Sequence, residues 1–211
     1  MPTFCIASPT QYDVYDRVER IYVELGSAND LFSVFQVVLG ESRADNAEVG
    51  GEFCNEVPDY NAYMYYEPNP TSHALLKYWL RGYTIISYCN TIIDSTHLGD
   101  FNEALKQRYI AEAKFIRSLI IFTLANTFGA VPYPVHSFEW PTGGVYNDYF
   151  ESNKVPFEVL SLSDIYQQIE TDLIEAISVL PLRSELNHPT SFRATSGAAQ
   201  ALLGGCNPKM W

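Results

Sequence analysis

Cations are scarce in this 211-residue chain, where 13 lysines and arginines stand against 25 aspartates and glutamates for a formal net charge of -12. Binding to nucleic acid needs clustered cations that displace counterions from phosphates, so the charge argues against this class of partner. Long hydrophobic runs are lacking as well. The most apolar stretch, 115–125, is shorter than the roughly 20 residues of a transmembrane helix and contains Arg117.

Signatures of catalysis and metal binding are also missing. The sequence has no G-x-S-x-G, no G-x-x-x-x-G-K-[ST], no H-E-x-x-H and no G-x-G-x-x-G. The four cysteines and the four histidines show no ligand spacing, which disfavours a zinc or redox site. We therefore expect a protein that is not an enzyme and has no metal or cofactor. The cysteines are predicted to be small buried hydrophobic residues: Cys5, Cys54, Cys89 and Cys206.

Aromatic residues, in contrast, are abundant, with 15 Tyr, 12 Phe and 3 Trp. Many of them fall in two long segments rich in Pro, Gly and Asn, 40–71 and 130–160, which are predicted to be surface loops. Long loops in compact domains are usually functional. A tyrosine offers a flat apolar face and a hydroxyl group at low entropic cost, so these loops are candidate binding surfaces, although each tyrosine is about as well explained as part of the core.

Apolar residues at steps of three and four predict helices between these loops. The first is predicted to have Ser8 as its N-cap and Pro9 at its first position, and to run to Glu24. A short apolar segment, 31–39, is also interpreted as helical. Four further helices are predicted to begin or end at recognisable caps: one after Ser72, one from Asn102 to Gly129, one after Ser161 and one after Thr195 that fails at Gly204 and Gly205.

This pattern predicts an all-α fold of stacked, antiparallel helical hairpins, like tetratricopeptide arrays, with long aromatic-rich loops. We expect a single domain over residues 1–211. Within it, Arg117 lies among apolar residues and is expected to form a structural ion pair, because a buried guanidinium needs a partner. Asn90 lies on an apolar helical stripe and is expected to bridge helix backbones or neighbouring side chains.

Sugar rings have an apolar C–H face and a rim of hydroxyl groups, so they bind aromatic plates flanked by polar side chains. Both predicted loops contain this mixture. The candidate ligand-binding residues are Asn46, Asn61, Tyr63, Tyr65, Tyr66, Trp140 and Tyr146. The alternative is that the loop aromatics fold back as satellite clusters of the core.

Several ordered motifs resemble the SusD/RagB family. Residues 41–46 (ESRADN) resemble its early acidic motif, and 79–93 resemble its W-x-x-x-Y-x-x-I-x-x-x-N-x-x-I helix. The most specific match is AEAKFIR at 111–117 with FGAVP at 128–132. Residues 165–181 match I-Y-x-x-I-x-x-D-L-x-x-A-x-x-x-L-P, and 193–203 are similar to its small-residue helix.

The resemblance spans about residues 10–203 and implies a tetratricopeptide-like scaffold. It also implies lipid anchoring at the surface of the outer membrane, and capture of oligosaccharides or peptides for a SusC-like TonB-dependent transporter. Family members are about twice this length, so we expect the chain to represent the N-terminal part, with 204–211 as an atypical tail. A signal peptide and a lipidated cysteine are not recognised within these residues.

The leading hypothesis is therefore a cell-surface glycan-binding component of a nutrient-uptake complex. The alternative is a helical-repeat adaptor that binds proteins and takes no small-molecule ligand. A minor third hypothesis is a glycoside hydrolase that uses loop carboxylates, for which Glu139, Asp148 and Glu151 are the candidates.

Overall fold

The computed structural model describes residues 8–26, 41, 44, 46, 73–138, 158–187 and 192–206. Within these ranges the chain forms α1 (Gln11–Gly26), α2 (His73–Ser95), α3 (Glu103–Phe128), α4 (Leu162–Val179) and α5 (Ser196–Gly205), with short 3-10 turns at Thr96–Leu98 and Arg183–Glu185. Extended pairing in the same ranges is limited to an isolated antiparallel bridge between Pro132 and Val159. The predicted all-α fold is confirmed.

Residue contacts divide the chain into two compact units, one of residues 1–22 with 84–211 and the other of residues 23–83. In the second unit, Arg81 Nη1 lies 3.0 Å from Glu24 Oε2, and the rings of Trp79 and Tyr83 pack with centroids 4.8 Å apart. The buried polar networks described below all belong to the first unit. A single domain over residues 1–211 stays a prediction.

The helix termini are set by local side-chain caps. Asn102 accepts a hydrogen bond from the Leu105 N–H at 3.1 Å, which satisfies one of the free donors in the first turn of α3. Ser161 and Thr195 do the same for α4 and α5. At the end of α3, Gly129 has φ of +79°, a value that glycine adopts without strain. These predicted boundaries are confirmed.

The predicted start of α1 is wrong. The helix begins at Gln11, where Thr10 Oγ1 accepts from the Asp13 N–H at 3.2 Å and Asp13 Oδ2 accepts from the Thr10 N–H at 2.8 Å. This reciprocal pair satisfies two N-terminal donors, so it outcompetes the upstream serine as a cap. Ser8 Oγ instead donates to Leu98 O at 2.6 Å.

The end of α5 also differs from the prediction. The helix includes both Gly204 and Gly205, and the Cys206 N–H donates to Leu202 O at 3.0 Å. Helical hydrogen bonding therefore outweighs the weak glycine propensity in this turn.

The predicted cap Ser72 and the apolar segment 31–39 lie outside the described residues.

Helices α3 and α4 pack against each other in antiparallel directions. Tyr166 OH, near the start of α4, donates to Asn126 Oδ1 near the end of α3 at 3.1 Å, whereas Glu175, near the end of α4, pairs with Lys114 in the middle of α3. α5 in turn packs against α4.

Helices α1 and α2 form a second antiparallel pair. Arg17 Nη1 donates to Ser95 Oγ at 3.1 Å, and the guanidinium of Arg20 lies 5.1 Å from the ring centroid of Tyr88. The buried core of these helices is aliphatic, at helical spacing: Val14, Val18 and Ile21 of α1, Ile85, Ile86 and Ile92 of α2, Ile116, Ile120 and Leu124 of α3, and Ile165, Ile169 and Leu173 of α4.

Candidate ligand-binding site

Most of the predicted ligand-binding residues lie outside the described residues: Asn61, Tyr63, Tyr65, Tyr66, Trp140 and Tyr146. The candidate carboxylates Glu139, Asp148 and Glu151 also lie outside them. Asn46 is described and exposed. Its Nδ2 donates to Glu41 Oε2 at 3.0 Å and its backbone N–H donates to Glu41 O at 2.9 Å. Its role in ligand binding stays a prediction.

The described residues on either side of segment 139–157, which contains Trp140 and Tyr146, pair with each other. Pro132 and Val159 form the antiparallel bridge, and the Leu160 N–H donates to Val131 O at 3.3 Å. The two described flanks of this segment therefore lie side by side.

One face of α2 binds the main chain of residues 134–138. Asn90 Nδ2 donates to Pro134 O at 2.8 Å and to His136 O at 2.9 Å. Ser87 and Asp94 lie three residues before and four residues after Asn90, and so on the same helical face. Ser87 Oγ donates to Phe138 O at 3.0 Å, and Asp94 Oδ2 accepts from the Ser137 N–H at 2.6 Å.

Behind this face lies a buried arginine network. Arg117 donates to Asp172 Oδ2 from Nε at 2.9 Å and from Nη2 at 2.6 Å. Its Nη1 donates to Asn90 Oδ1 at 2.7 Å and to Val135 O at 3.2 Å. Tyr133 OH donates to the same oxygen of Asp172 at 2.8 Å. We call these four residues, Asn90, Arg117, Tyr133 and Asp172, the Arg117 network.

The electrostatics of the Arg117 network favour its ion pair. Burial disfavours the charged guanidinium, but the attraction of Asp172 and Tyr133 outweighs it and raises the pKa of Arg117 above its ordinary value. Burial, reinforced by the charge of Asp172, raises the pKa of Tyr133 well above its ordinary value. Burial also raises the pKa of the neighbouring Cys89 thiol to about 12. At neutral pH, therefore, Arg117 is charged and the phenol and thiol keep their protons.

A second buried network is centred on Glu112 of α3. Arg193 Nε donates to Glu112 Oε2 at 2.7 Å, and Arg108 Nε donates to Oε1 at 3.1 Å. Tyr22 OH donates to Oε2 at 2.9 Å and accepts from the Ala194 N–H at 2.8 Å. We call Tyr22, Arg108, Glu112 and Arg193 the Glu112 network. It joins α1 and α3 to the segment that leads into α5.

Aromatic rings surround the cation of the Glu112 network. The guanidinium carbon of Arg193 lies 5.3 Å from the ring centroid of Tyr109, 5.7 Å from that of Tyr15 and 5.8 Å from that of Tyr22. These distances allow cation–π attraction, which partly compensates for the loss of hydration. One nitrogen of each arginine, Nη2 of Arg108 and Nη2 of Arg193, is buried without a hydrogen-bond acceptor among the described residues.

Sequence reasoning found some of these residues and missed others. The predicted ion pair of Arg117 and the predicted bridging role of Asn90 are confirmed. The prediction that the cysteines are buried is confirmed for Cys89 and Cys206, and Cys5 and Cys54 lie outside the described residues. Ser87 and Asp94 were not predicted, although their spacing of three and four residues from Asn90 was a usable signal.

The Arg117 network and the Glu112–Arg193 pair are buried, whereas Tyr22 and Arg108 are partly exposed, so the main role of both networks is to hold the chain in place. Within the described ranges, no group of three or more His, Cys, Asp or Glu side chains has a geometry that suits a metal ion. Of the helices in those ranges, none combines the length and apolar character that crossing a bilayer requires.

Comparison with protein families gives a match over nearly the whole chain. Residues 8–204 match the SusD-like_3 family model, which is described as starch-binding and associating with the outer membrane. The chain belongs to the SusD-like family. No curated protein matches this SusD-like chain significantly.

Solved SusD-like structures share its fold. A laminarin-binding SusD-like protein is 24% identical with a TM-score of 0.75, over 93% of this chain and 40% of the other. Surface glycan-binding protein A from Bacteroides thetaiotaomicron, solved with laminarihexaose, is 21% identical with a TM-score of 0.74, over 94% and 38%. Surface glycan-binding protein A from Bacteroides fluxus is 20% identical with a TM-score of 0.74, over 94% of this chain and 40% of the other.

This SusD-like chain thus spans about 40% of the length of the structures that it resembles. Five polar residues of the family motifs take part in the two buried networks. Asn90, Arg117 and Asp172 belong to the Arg117 network, and Glu112 and Arg193 to the Glu112 network. The motifs identified in the sequence therefore mark the parts of the scaffold that fix the connections between helices.

Proposed function

We propose that this SusD-like chain binds an oligosaccharide at the cell surface without cleaving it, as part of a nutrient-uptake complex. The observation that carries the proposal is the family match over residues 8–204, because the family is described as starch-binding and associating with the outer membrane. Surface glycan-binding protein A from Bacteroides thetaiotaomicron, which has the same fold, was solved in complex with laminarihexaose.

The geometry of the scaffold supports this proposal. A segment that binds a ligand through aromatic side chains benefits from rigid flanks. Each residue that becomes ordered on binding loses conformational entropy, which lowers the affinity. Segment 139–157 contains Trp140 and Tyr146, and its flanks are held by the bridge between Pro132 and Val159 and by the side chains of α2. The proposed ligand contacts are Asn46, Asn61, Tyr63, Tyr65, Tyr66, Trp140 and Tyr146.

The proposal extends to a partner and a location. A SusC-like TonB-dependent transporter is the proposed partner, and a lipid anchor at the outer surface of the outer membrane is the proposed attachment. The family's association with the outer membrane supports the location, and the partner and the anchor are proposed from the resemblance to the SusD/RagB family. The net charge of -12 is compatible with a role at the surface that involves no nucleic acid.

Replacement of the aromatic residues that are proposed to stack on the sugar tests this function. Isothermal titration calorimetry of the full-length protein with laminarihexaose and with maltohexaose should give binding to at least one of the two sugars. Tyr65→Ala and Trp140→Ala should each weaken it by about 2 kcal/mol, or about 30-fold, because a central aromatic contact is lost.

Tyr12→Ala is the matched control, since Tyr12 of α1 is 76% exposed and has no proposed role in binding. It should leave the affinity unchanged. Binding of neither sugar by the wild type would contradict the proposal and favour a protein-binding adaptor. Release of reducing sugar from either glucan would contradict the non-enzymatic assignment.

A further inference from the structure

We propose that Asn90 is a positioning residue for ligand binding, because its buried amide sets the register of residues 134–136 and so fixes the flank from which the chain enters segment 139–157, which contains Trp140. This inference rests on the proposed function and adds to it a residue that never touches the ligand. Asn90 is fully buried, so any effect on affinity has to be transmitted through the main chain.

The amide of Asn90 can hold only one register of this segment. Its Nδ2 donates to two carbonyl groups that are two residues apart, Pro134 O at 2.8 Å and His136 O at 2.9 Å. A slip of the segment by one residue would remove both acceptors at once. The two buried N–H donors of Asn90 would then lack acceptors, each at a cost of about 1–3 kcal/mol, and Arg117 would lose its hydrogen bond to Val135 O.

The orientation of the amide is itself fixed. The guanidinium of Arg117 can only donate, so the atom that faces its Nη1 at 2.7 Å must be Oδ1 of Asn90. The NH₂ group therefore faces the carbonyls. Arg117 is held in turn by two hydrogen bonds to Asp172. A continuous chain of buried contacts thus links α4 through α3 and α2 to the main chain of residues 134–136.

These contacts lie close in sequence to Trp140, one of the proposed ligand contacts. His136 and Phe138 precede Trp140 by four and two residues, and Ser87 Oγ holds the Phe138 carbonyl at 3.0 Å. Phe138 is the last described residue before segment 139–157. A shift of its carbonyl would displace the point from which the chain enters that segment, and sites respond strongly to displacements of about 1 Å.

Two variants and one control test the inference by calorimetry with laminarihexaose and maltohexaose on the full-length protein. Asn90→Ser should lower the affinity about tenfold, equal to about 1.4 kcal/mol. Ser87→Ala is the milder variant that keeps the Arg117 network intact, and it should lower the affinity about threefold through the loss of one hydrogen bond. Tyr22→Phe, in the Glu112 network, should lower stability yet leave the affinity unchanged.

Hydrogen exchange on the unliganded proteins gives a readout that needs no ligand. Asn90→Ser and Ser87→Ala should speed the exchange of amides in 137–150, whereas Tyr22→Phe should not. Wild-type affinity in both variants, with only the melting temperature lowered, would overturn the inference. If the wild type binds neither sugar, the proposed function fails instead, and unchanged exchange in 137–150 would then overturn the positioning role as well.

Discussion

The Arg117 and Glu112 networks are built from similar parts but do different things. Each pairs a buried arginine with a buried carboxylate and a tyrosine hydroxyl. In the Arg117 network, the remaining donors go to main-chain carbonyls of residues 134–136. In the Glu112 network, the carboxylate receives two arginines, and Nη2 of each has no acceptor among the described residues.

The difference teaches how a helical scaffold divides its buried charges. In the Arg117 network, one arginine pairs with one carboxylate, and the third nitrogen of that arginine is available to bind the main chain at Val135. One carboxylate with two cations is a hub that joins α1, α3 and the start of α5, through Tyr22, Glu112 and Arg193. Buried ion pairs add little net stability over apolar packing, but breaking one is costly. Their value here is that they specify where two segments attach.

The largest expected effect is from removal of a single cation. Arg117→Met should destabilise the protein by about 3–5 kcal/mol, because Asp172 is left buried without a cation. Arg193→Met should cost clearly less, about 2 kcal/mol, because Glu112 keeps Arg108 and Tyr22. Urea unfolding followed by circular dichroism measures both costs as shifts of the midpoint at constant m-value.

The double variant Arg117→Met with Asp172→Leu controls for lost packing. It should be less destabilised than the sum of its single variants, since no charge is left unpaired. An equal or larger cost for Arg193→Met than for Arg117→Met would contradict the distinction between one and two cations.

Removal of a tyrosine hydroxyl should have an intermediate effect on stability, and the cost should differ between the two networks. Tyr22→Phe removes a donor to Glu112 and leaves the buried Ala194 N–H without an acceptor, so it should cost about 2 kcal/mol. Tyr133→Phe removes one hydrogen bond to Asp172 and should cost about 1 kcal/mol. Thermal or urea unfolding of both variants checks the order, and a reversed order would refute it.

The last expected effect is similar in size to the loss of one tyrosine hydroxyl, and it concerns alkaline pH and the Cys89 thiol beside the Arg117 network. Burial raises the pKa of Cys89 from 9.0 to about 12 in the folded protein, so the folded state holds its proton longer than the unfolded state. The resulting stability is present below pH 9 and is lost as the pH rises toward 12. Between pH 8 and pH 10 the loss from this group should be about 1.4 kcal/mol.

Cys89→Ala should flatten the pH profile by that amount, as measured from urea midpoints at pH 8, 9 and 10. The slope of the profile is compared, and not the absolute stability, because the substitution also changes packing. Cys206→Ala should flatten it as well, since burial raises the pKa of that thiol to about 11. A slope in Cys89→Ala equal to that of the wild type would show that the thiol ionises equally in both states.

Much of the scaffold could be predicted because local chemistry dictates it. The caps Asn102, Ser161 and Thr195 satisfy N-terminal donors within three residues of themselves, so the sequence around them suffices. The start of α1 was mistaken because two neighbouring residues, Ser8 and Thr10, are both good caps. The choice depended on Leu98, which lies 90 residues away and binds the Ser8 hydroxyl.

The candidate site could be predicted only in part. The isolation of Arg117 among apolar residues indicated an ion pair, but the identity of its partner, Asp172, depends on how α4 packs on α3. The binding of residues 134–138 by Ser87, Asn90 and Asp94 involves main-chain atoms. The spacing of these three residues indicated a polar helical face, but main-chain atoms have no residue-specific signal in a sequence, so the segment that this face binds could not be foreseen.

The sequence by itself determined the helices of this protein, the apolar stripes along them and the need of each buried charge for a partner, because these follow from propensity, periodicity and the cost of desolvation. The tertiary structure alone decided which carboxylate meets which arginine, and which of the two networks holds the connection that leads to Trp140. Those choices depend on contacts such as Asn90–Pro134, Arg117–Asp172 and Arg193–Glu112, which join residues 44, 55 and 81 positions apart, and no local pattern encodes such distances.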